Sequence, residues 1–300
     1  MNIQVIGVAF SDLKGFPFGV YDPLGTNKGN VIVTQGGVAR NVAADLNNLG
    51  ADVKFALMLD EGGMGDEMRK NLTDRGIDLS YAVTVKEKGI GKWLAVFNEK
   101  GDLAGSISMM PEVAPLEELI AEKGDEMIAD ADAVVVEFDT SENIARMVTE
   151  KCAAHGKPFY VIVGNMTVML SMKEQLYESD CLIMNEIEAG KLFGHTFLGK
   201  TPEEALVELI AAGKENHLRR AVVTLGGDGS VYADFTTGEF GCVPAEPCRV
   251  VDTTGAGDAF FSACVVALTK GEPLREAVKA GAHLAALVLP CKESECPKIG

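Results

Sequence analysis

The sequence predicts an α/β fold: a three-layer α/β/α sandwich with a mostly parallel central sheet and a small antiparallel β flap. Two observations carry this. Short, nearly continuous apolar runs alternate with helical stretches, the pattern of strands buried on both faces of a parallel sheet. Two other segments break the rhythm and alternate apolar with polar residues, as half-exposed antiparallel strands do.

Taken in order, MNIQVIGVAF reads as the first strand, because it lacks the basic start and long apolar stretch of a secretory leader. Residues 13–35, rich in Gly, Pro and Asn and ending in VIVTQ, begin the flap. A helix is expected over 38–49, then the strand VKFALML and a helix over 64–75. Residues 81–108 supply the rest of the flap, as AVTVKE and KWLAVFNEKG with a turn at Gly101-Asp102. AVVVEF, FYVIV, CLIMN and RAVVTLG follow as strands, with helices expected over 141–154, 167–178, 186–193 and 202–212. No repeat or linker divides the chain, so residues 1–300 are expected to form one domain, with flap strands from about 13–35 and 81–108.

Composition narrows the function. With 44 acidic against 27 basic residues, the formal charge is −17. That field repels polyanions and argues against nucleic-acid and anionic-membrane partners. No run approaches the ~20 apolar residues of a membrane span. Seven scattered cysteines, an odd number, read as reduced thiols of a cytoplasmic protein. CKESEC (291–296) lacks the second ligand pair that a metal site needs. An anionic ligand therefore requires a strong local site.

DTTGAGDAFF (252–261) offers one. Gly255 and Gly257 permit backbone angles closed to other residues and leave room for a ligand. The apolar run after them reads as a helix, whose free N–H groups and dipole favour an anion. Asp258 sits at that terminus. Besides a helix-start role, an acid beside a phosphate site suggests a second one: accepting the proton of a hydroxyl that attacks a phosphoryl group. GHTFLGKT (194–201) matches the phosphate-loop pattern literally, but the segment entering it is helical. Thr201-Pro202-Glu203-Glu204 reads instead as a helix start. Gly255-x-Gly257 also lacks the third small residue of a dinucleotide fingerprint.

DTTGAGDAFFSACV resembles the C-terminal signature of the ribokinase (PfkB) family of carbohydrate and nucleoside kinases. GGVARNVAADLNNLG (36–50) resembles the family's N-terminal motif, with Asn41, Ala43 and Gly50 at its spacing. Asn185-x-x-Glu188 and TLGGDGS (224–230) resemble its intermediate motifs, so the likeness runs from about residue 3 to 290. The resemblance implies a ribokinase-like fold and transfer of the γ-phosphate of ATP, with magnesium, to a hydroxymethyl group of a sugar or nucleoside. Gly255, Ala256 and Gly257 are then implied as an anion hole with Asp258 as base. Asn185 and Glu188 are implied to organise magnesium and its waters, and Thr224, Gly226 and Gly229 to border the nucleotide. Asp12, Gly36, Gly37 and Asn41 are implied to hold substrate hydroxyls, and Asp252 a monovalent cation such as potassium. Asp139 is a further substrate-binding candidate, placed at the carboxyl end of a strand where α/β folds bind ligands. The flap is implied to act as a lid and as a homodimer contact, with Trp93, Val96 and Phe97 as candidate exposed residues.

This sequence also departs from the family pattern. Phe10 stands where many of its sugar kinases carry Asn. DEGGMG (60–65) lacks the usual glycine and aspartate before Gly65, which reads as structural, and Gly164-Asn165 replaces Asp-Pro. Val38-Ala39-Arg40 looks closer to the pseudouridine-kinase branch. Arg40 has two readings, a contact to a base or a surface helix residue. Two rival functions stand beside the kinase: a non-catalytic sugar- or nucleotide-binding relative, and an NTPase using 194–201.

Overall fold

In chain order, β1 (Asn2–Ile6), β2 (Phe10–Pro17) and β3 (Gly29–Gly36) precede α1 (Val38–Asn48), and β4 (Asp52–Ala56) and β5 (Met58–Asp60) precede α2 (Gly63–Arg75). β6 (Val83–Val85), β7 (Gly91–Phe97) and β8 (Leu103–Met109) lead to α3 (Ala114–Ala129), β9 (Ala133–Glu137), α4 (Glu142–His155) and β10 (Phe159–Ile162). Then come α5 (Met166–Met169), α6 (Lys173–Tyr177), β11 (Leu182–Asn185), α7 (Glu186–Phe193) and α8 (Pro202–Glu215). β12 (Arg220–Thr224), β13 (Ser230–Asp234), β14 (Glu239–Val243), α9 (Ala256–Thr269) and α10 (Leu274–Val288) complete the chain. The computed structural model describes residues 1–291 and 295–298; positions 292–294, inside CKESEC, and 299–300 lie outside the described residues.

The apolar runs became parallel strands. β10, β9, β1 and β4 pair in that order, all parallel, and β11 pairs in parallel with β12, which continues antiparallel into β13 and β14. Alternate side chains of one strand enter different cores: Val134 and Val136 pack with Ile120, Val148 and Leu209, whereas Ala133 and Val135 pack with Leu46, Leu72 and Val265. Helices therefore cover both faces, giving the three layers that uninterrupted apolar strands require.

Three expectations need correction. The flap sheet, in order β3-β2-β7-β8, is mixed: its outer pairs are antiparallel, but the central β2–β7 pair is parallel. The chain leaves β2 and returns as β7 only after passing through α1, β4, β5 and α2, a connection long enough for a parallel crossover. The stretch AVTVKE is not in this sheet, because β6 pairs in parallel with β5. The helix expected over 167–178 is broken into α5, a 3₁₀ turn at Leu170–Met172 and α6. There Ser171 Oγ bonds the carbonyl of Val168 and Oε1 of Glu142, drawing the turn away from regular helix.

The 194–201 stretch is a helix-to-helix connection. Gly194 ends α7 in the left-handed conformation, and Thr201 starts α8 with a capping box to Glu204. Lys200 is committed to Glu208 at 2.6 Å, and Phe197 is buried. No strand enters this loop, so the phosphate-loop reading fails.

Candidate active site

Two glycine-started helices build the site. Gly37 precedes α1 with φ 98°, and a Cβ there would lie 3.0 Å from both the Phe10 amide nitrogen and the Val8 carbonyl oxygen. Gly255 precedes α9 with φ 82°, also left-handed. α9 packs along α1, and their first turns meet: Asn41 Nδ2 donates to Asp258 Oδ2 at 3.0 Å. Burial pushes the Asp258 carboxyl up to about 6, the Asn41 hydrogen bond pulls it down, and the charge of Glu188 pushes it up.

Asp258 faces a cleft of about 220 Å³, shared with Glu188, Asn185, Thr224 and Gly257 and walled by Val42, Ile183 and Phe261. An adjoining cavity of about 730 Å³ shares Asn185, Thr224 and Gly257 with the cleft. Gly226, Gly229 and Ala256 also line the larger cavity, and its apolar wall includes Val250, Ala285 and Leu289. The structure thus gathers Asn185, Glu188, Thr224, Gly226, Gly229, Ala256, Gly257 and Asp258 around two connected spaces.

Asn185 and Glu188 also cap α7. Asn185 Oδ1 accepts from the amides of Ile187 and Glu188, and Glu188 Oε2 accepts from the Asn185 amide at 2.8 Å. Burial raises the Glu188 carboxyl. The helix-start reading of this pair therefore holds, and it leaves Glu188 Oε1 without a protein partner among the described residues.

Asp12, Asp139 and Asp252 line neither space. Asp12 lies against Gly36, where a Cβ would come within 2.7 Å of Asp12 Oδ2, and its carboxylate is 3.7 Å from Lys14. The Phe10 ring lies over Gly91. Asp139 packs on Gly164 with Oδ1 buried and unpartnered, and burial raises its carboxyl. Beside it lies Glu137, which the sequence reading missed: it is buried, accepts from the Val8 amide at 3.0 Å, and is held well above the usual carboxylate range by desolvation and Asp139. An acid inside the apolar run AVVVEF was the signal. Asp252 is exposed, and the Thr254 amide at 2.9 Å keeps its carboxyl below the usual range.

A model of the pfkB carbohydrate kinases matches residues 2–297. The chain belongs to the pfkB family of carbohydrate kinases. It is 32% identical to the guanosine-inosine kinase of Exiguobacterium acetylicum over 293 residues, 98% of this chain and 96% of that one. It is 24% identical to the pseudouridine kinase of Escherichia coli over 298 residues, 99% of this chain and 93% of the relative. The ribokinase of Arabidopsis thaliana, in a structure with ribose and ATP, superposes with a TM-score of 0.83 at 22% identity, covering 99% of this chain and 96% of that one. The protein is therefore a pfkB kinase with a ribokinase-like fold, and membership brings ATP-dependent phosphorylation of a small-molecule sugar or nucleoside.

In this pfkB kinase Arg40 takes neither of its expected places. It is 2% exposed and is paired with Glu295, with Asn71 at 2.7 Å, so it is no surface residue and offers no free face to a base. Trp93, Val96 and Phe97 are half-buried, and Phe97 stacks on Phe16 at 4.8 Å between centroids. The exposed apolar residues of the flap strands include Val31, Ile32, Val33, Leu94, Leu103 and Ile107. Among the described residues no disulfide forms and no three His, Cys, Asp or Glu side chains converge as a metal cage. None of the helices there is long and apolar enough to cross a membrane.

Proposed function

We propose that this pfkB kinase moves the γ-phosphate of ATP to a hydroxymethyl group of a nucleoside, with ribose or a ketose as the second choice, and that Asp258 is the base. The observation that carries the reading is the ionisable Asp258, oriented by Asn41 at the start of α9, opening on the 220 Å³ cleft beside the 730 Å³ cavity. Similarity to a guanosine-inosine kinase along nearly the whole chain favours a nucleoside.

In this mechanism the acceptor's reacting hydroxymethyl group meets Asp258 at the smaller cleft, the rest of the acceptor lying on the flap side, and the larger cavity takes the nucleotide, with Thr224, Gly226 and Gly229 along it. Asp258, ionised above about pH 6, accepts the acceptor's hydroxyl proton late in a loose transition state. The N–H groups at Gly255, Ala256 and Gly257 stabilise the charge that spreads on the transferred oxygens. The cleft fits a divalent cation: Glu188 lines it with no cationic side chain beside it, and its Oε1 would be spare to accept from a water of that cation. Magnesium there supplies charge neutralisation at the phosphates. Asp12, Gly36, Gly37, Asn41 and Asp139 hold acceptor hydroxyls on the flap side. The flap sheet closes as a lid to keep water from the phosphoryl group, and its exposed apolar residues join two copies as a homodimer. Potassium is placed beside Asp252, and dependence of turnover on potassium tests that site. The protein is taken to act in the cytoplasm as one domain over 1–300.

The test is ADP release with ATP and magnesium over guanosine, inosine, pseudouridine, ribose and fructose, with Asp258→Asn in parallel. Turnover on one acceptor that disappears in Asp258→Asn supports the reading. Silence across the panel while ATP still raises the melting temperature points to the non-catalytic relative.

A further inference from the structure

Arg40 spends three contacts inside the protein. Its Nη1 pairs with Glu295 and reaches Asn41 Oδ1 at 3.4 Å, and its Nη2 donates to Asn71 Oδ1 at 2.7 Å. Glu295 is shared, pairing also with Arg75 at 2.5 Å. A guanidinium 2% exposed is costly unless such partners meet it. An apolar side chain fills a helix face without that cost, so the arrangement suggests a task beyond packing.

The task follows from donor and acceptor chemistry. A primary amide presents an oxygen at one side and an NH₂ at the other, and its neighbours decide which way it turns. A guanidinium has donors only, so beside Arg40 the amide must turn Oδ1 toward Nη1. Nδ2 is then left toward Asp258, where it meets a carboxylate oxygen at 3.0 Å. The opposite orientation sets donor against donor at Arg40 and acceptor against acceptor at Asp258.

We propose that Arg40 and Glu295 are positioning residues for Asp258: Glu295 anchors Arg40, Arg40 fixes the amide of Asn41, and that amide orients the carboxylate. The consequence for phosphoryl transfer rests on Asp258 being the base; the relay itself does not. The groups facing Arg40 are Glu295, Arg75, Asp45 and Asp12, and those facing Asp258 are Asn41 and Glu188, with its charge also felt at Glu137 and Asp45.

The experiment is a carboxyl titration of the full chain labelled with ¹³C-aspartate, the Asp258 signal identified by its loss in Asp258→Asn. A donor to a carboxylate lowers its midpoint, so a loosened amide raises it. Asn41→Ala and Arg40→Lys are each expected to raise the Asp258 midpoint by about half a pH unit or more. The double variant should move it no further than Asn41→Ala alone. Glu295→Gln should move it the same way by less, and it carries the comparison if Arg40→Lys does not fold. A midpoint unmoved in Arg40→Lys and Glu295→Gln while Asn41→Ala shifts it, or shifts that simply add, would overturn the relay. Turnover retained in Asp258→Asn would remove the base assignment and leave this titration fully interpretable.

Discussion

Asn41 and Asp258 are 217 positions apart in sequence, yet the amide of one donates to the carboxylate of the other at 3.0 Å. Each lies in the first turn of a helix entered through a left-handed glycine, Gly37 for α1 and Gly255 for α9. The contact brings the family's two signature motifs to one point and sets the chemistry of the acid between them.

Asp258→Asn keeps a side chain of the same shape and removes the proton acceptor. Turnover should fall by about 10²–10⁴-fold with little change in KM for ATP, as loss of a general base does. In the unaltered protein kcat/KM should fall as pH drops through about 6, because burial pushes the Asp258 carboxyl up to about 6. A rate profile from pH 4 to 8 checks this, and an acid limb near the ordinary value of 3.8 would contradict the assigned environment.

Buried acids also set the pH dependence of stability. Burial raises Asp45 to about 7 and Asp258 to about 6, both from 3.8. The folded state therefore holds protons that the unfolded chain has released, and stability falls as pH rises from about 4 through about 7. Asp45→Asn removes one ionisation while its oxygen can still accept from the Cys296 amide. Its melting temperature should exceed that of the unaltered protein by several degrees at pH 8 and by much less at pH 5.

Gly257 and Gly37 should respond oppositely to alanine. Nothing lies within 4 Å of a Cβ at Gly257, and its φ is not left-handed. Gly257→Ala should match or exceed the parent in urea denaturation, by up to about 1 kcal/mol. Its turnover should nevertheless drop, because the methyl occupies the wall of both cavities. Gly37→Ala meets φ 98° and backbone atoms at 3.0 Å, so it should cost about 1–3 kcal/mol and lower activity with it.

Lys200→Ala should keep turnover within about twofold, since Lys200 is paired with Glu208 between two helices and a true phosphate-loop lysine loses far more. Loss of activity in purified, folded Lys200→Ala would reinstate the loop.

The flap sheet sets Val33, Leu13, Leu94 and Ile107 side by side across its strands, and Ile107 is 69% exposed. If this row joins two copies, the protein sediments as a dimer and Ile107→Glu as a monomer. A monomeric parent at assay concentrations would exclude the contact.

The strands were legible because their apolar runs are continuous, and α7 and α8 because Asn185–Glu188 and Thr201–Glu204 are local capping patterns. The helix α9 and its glycines were equally plain. α3 and α10 were not expected from the sequence, although α10 is strongly amphipathic, and neither was the hairpin of β13 and β14.

Sequence by itself therefore determined the layered α/β class, the glycine-led start of α9 with Asp258 in its first turn, and the resemblance to one kinase family. Each of these is written in residues close together in the chain. Tertiary structure alone decided that β2 and β7 run parallel, that Glu137 is buried against the amide of Val8, and that Arg40 turns inward to Glu295 across 255 positions. These outcomes depend on which distant charges and amides meet when helices and strands pack, and no periodicity along the chain encodes that meeting.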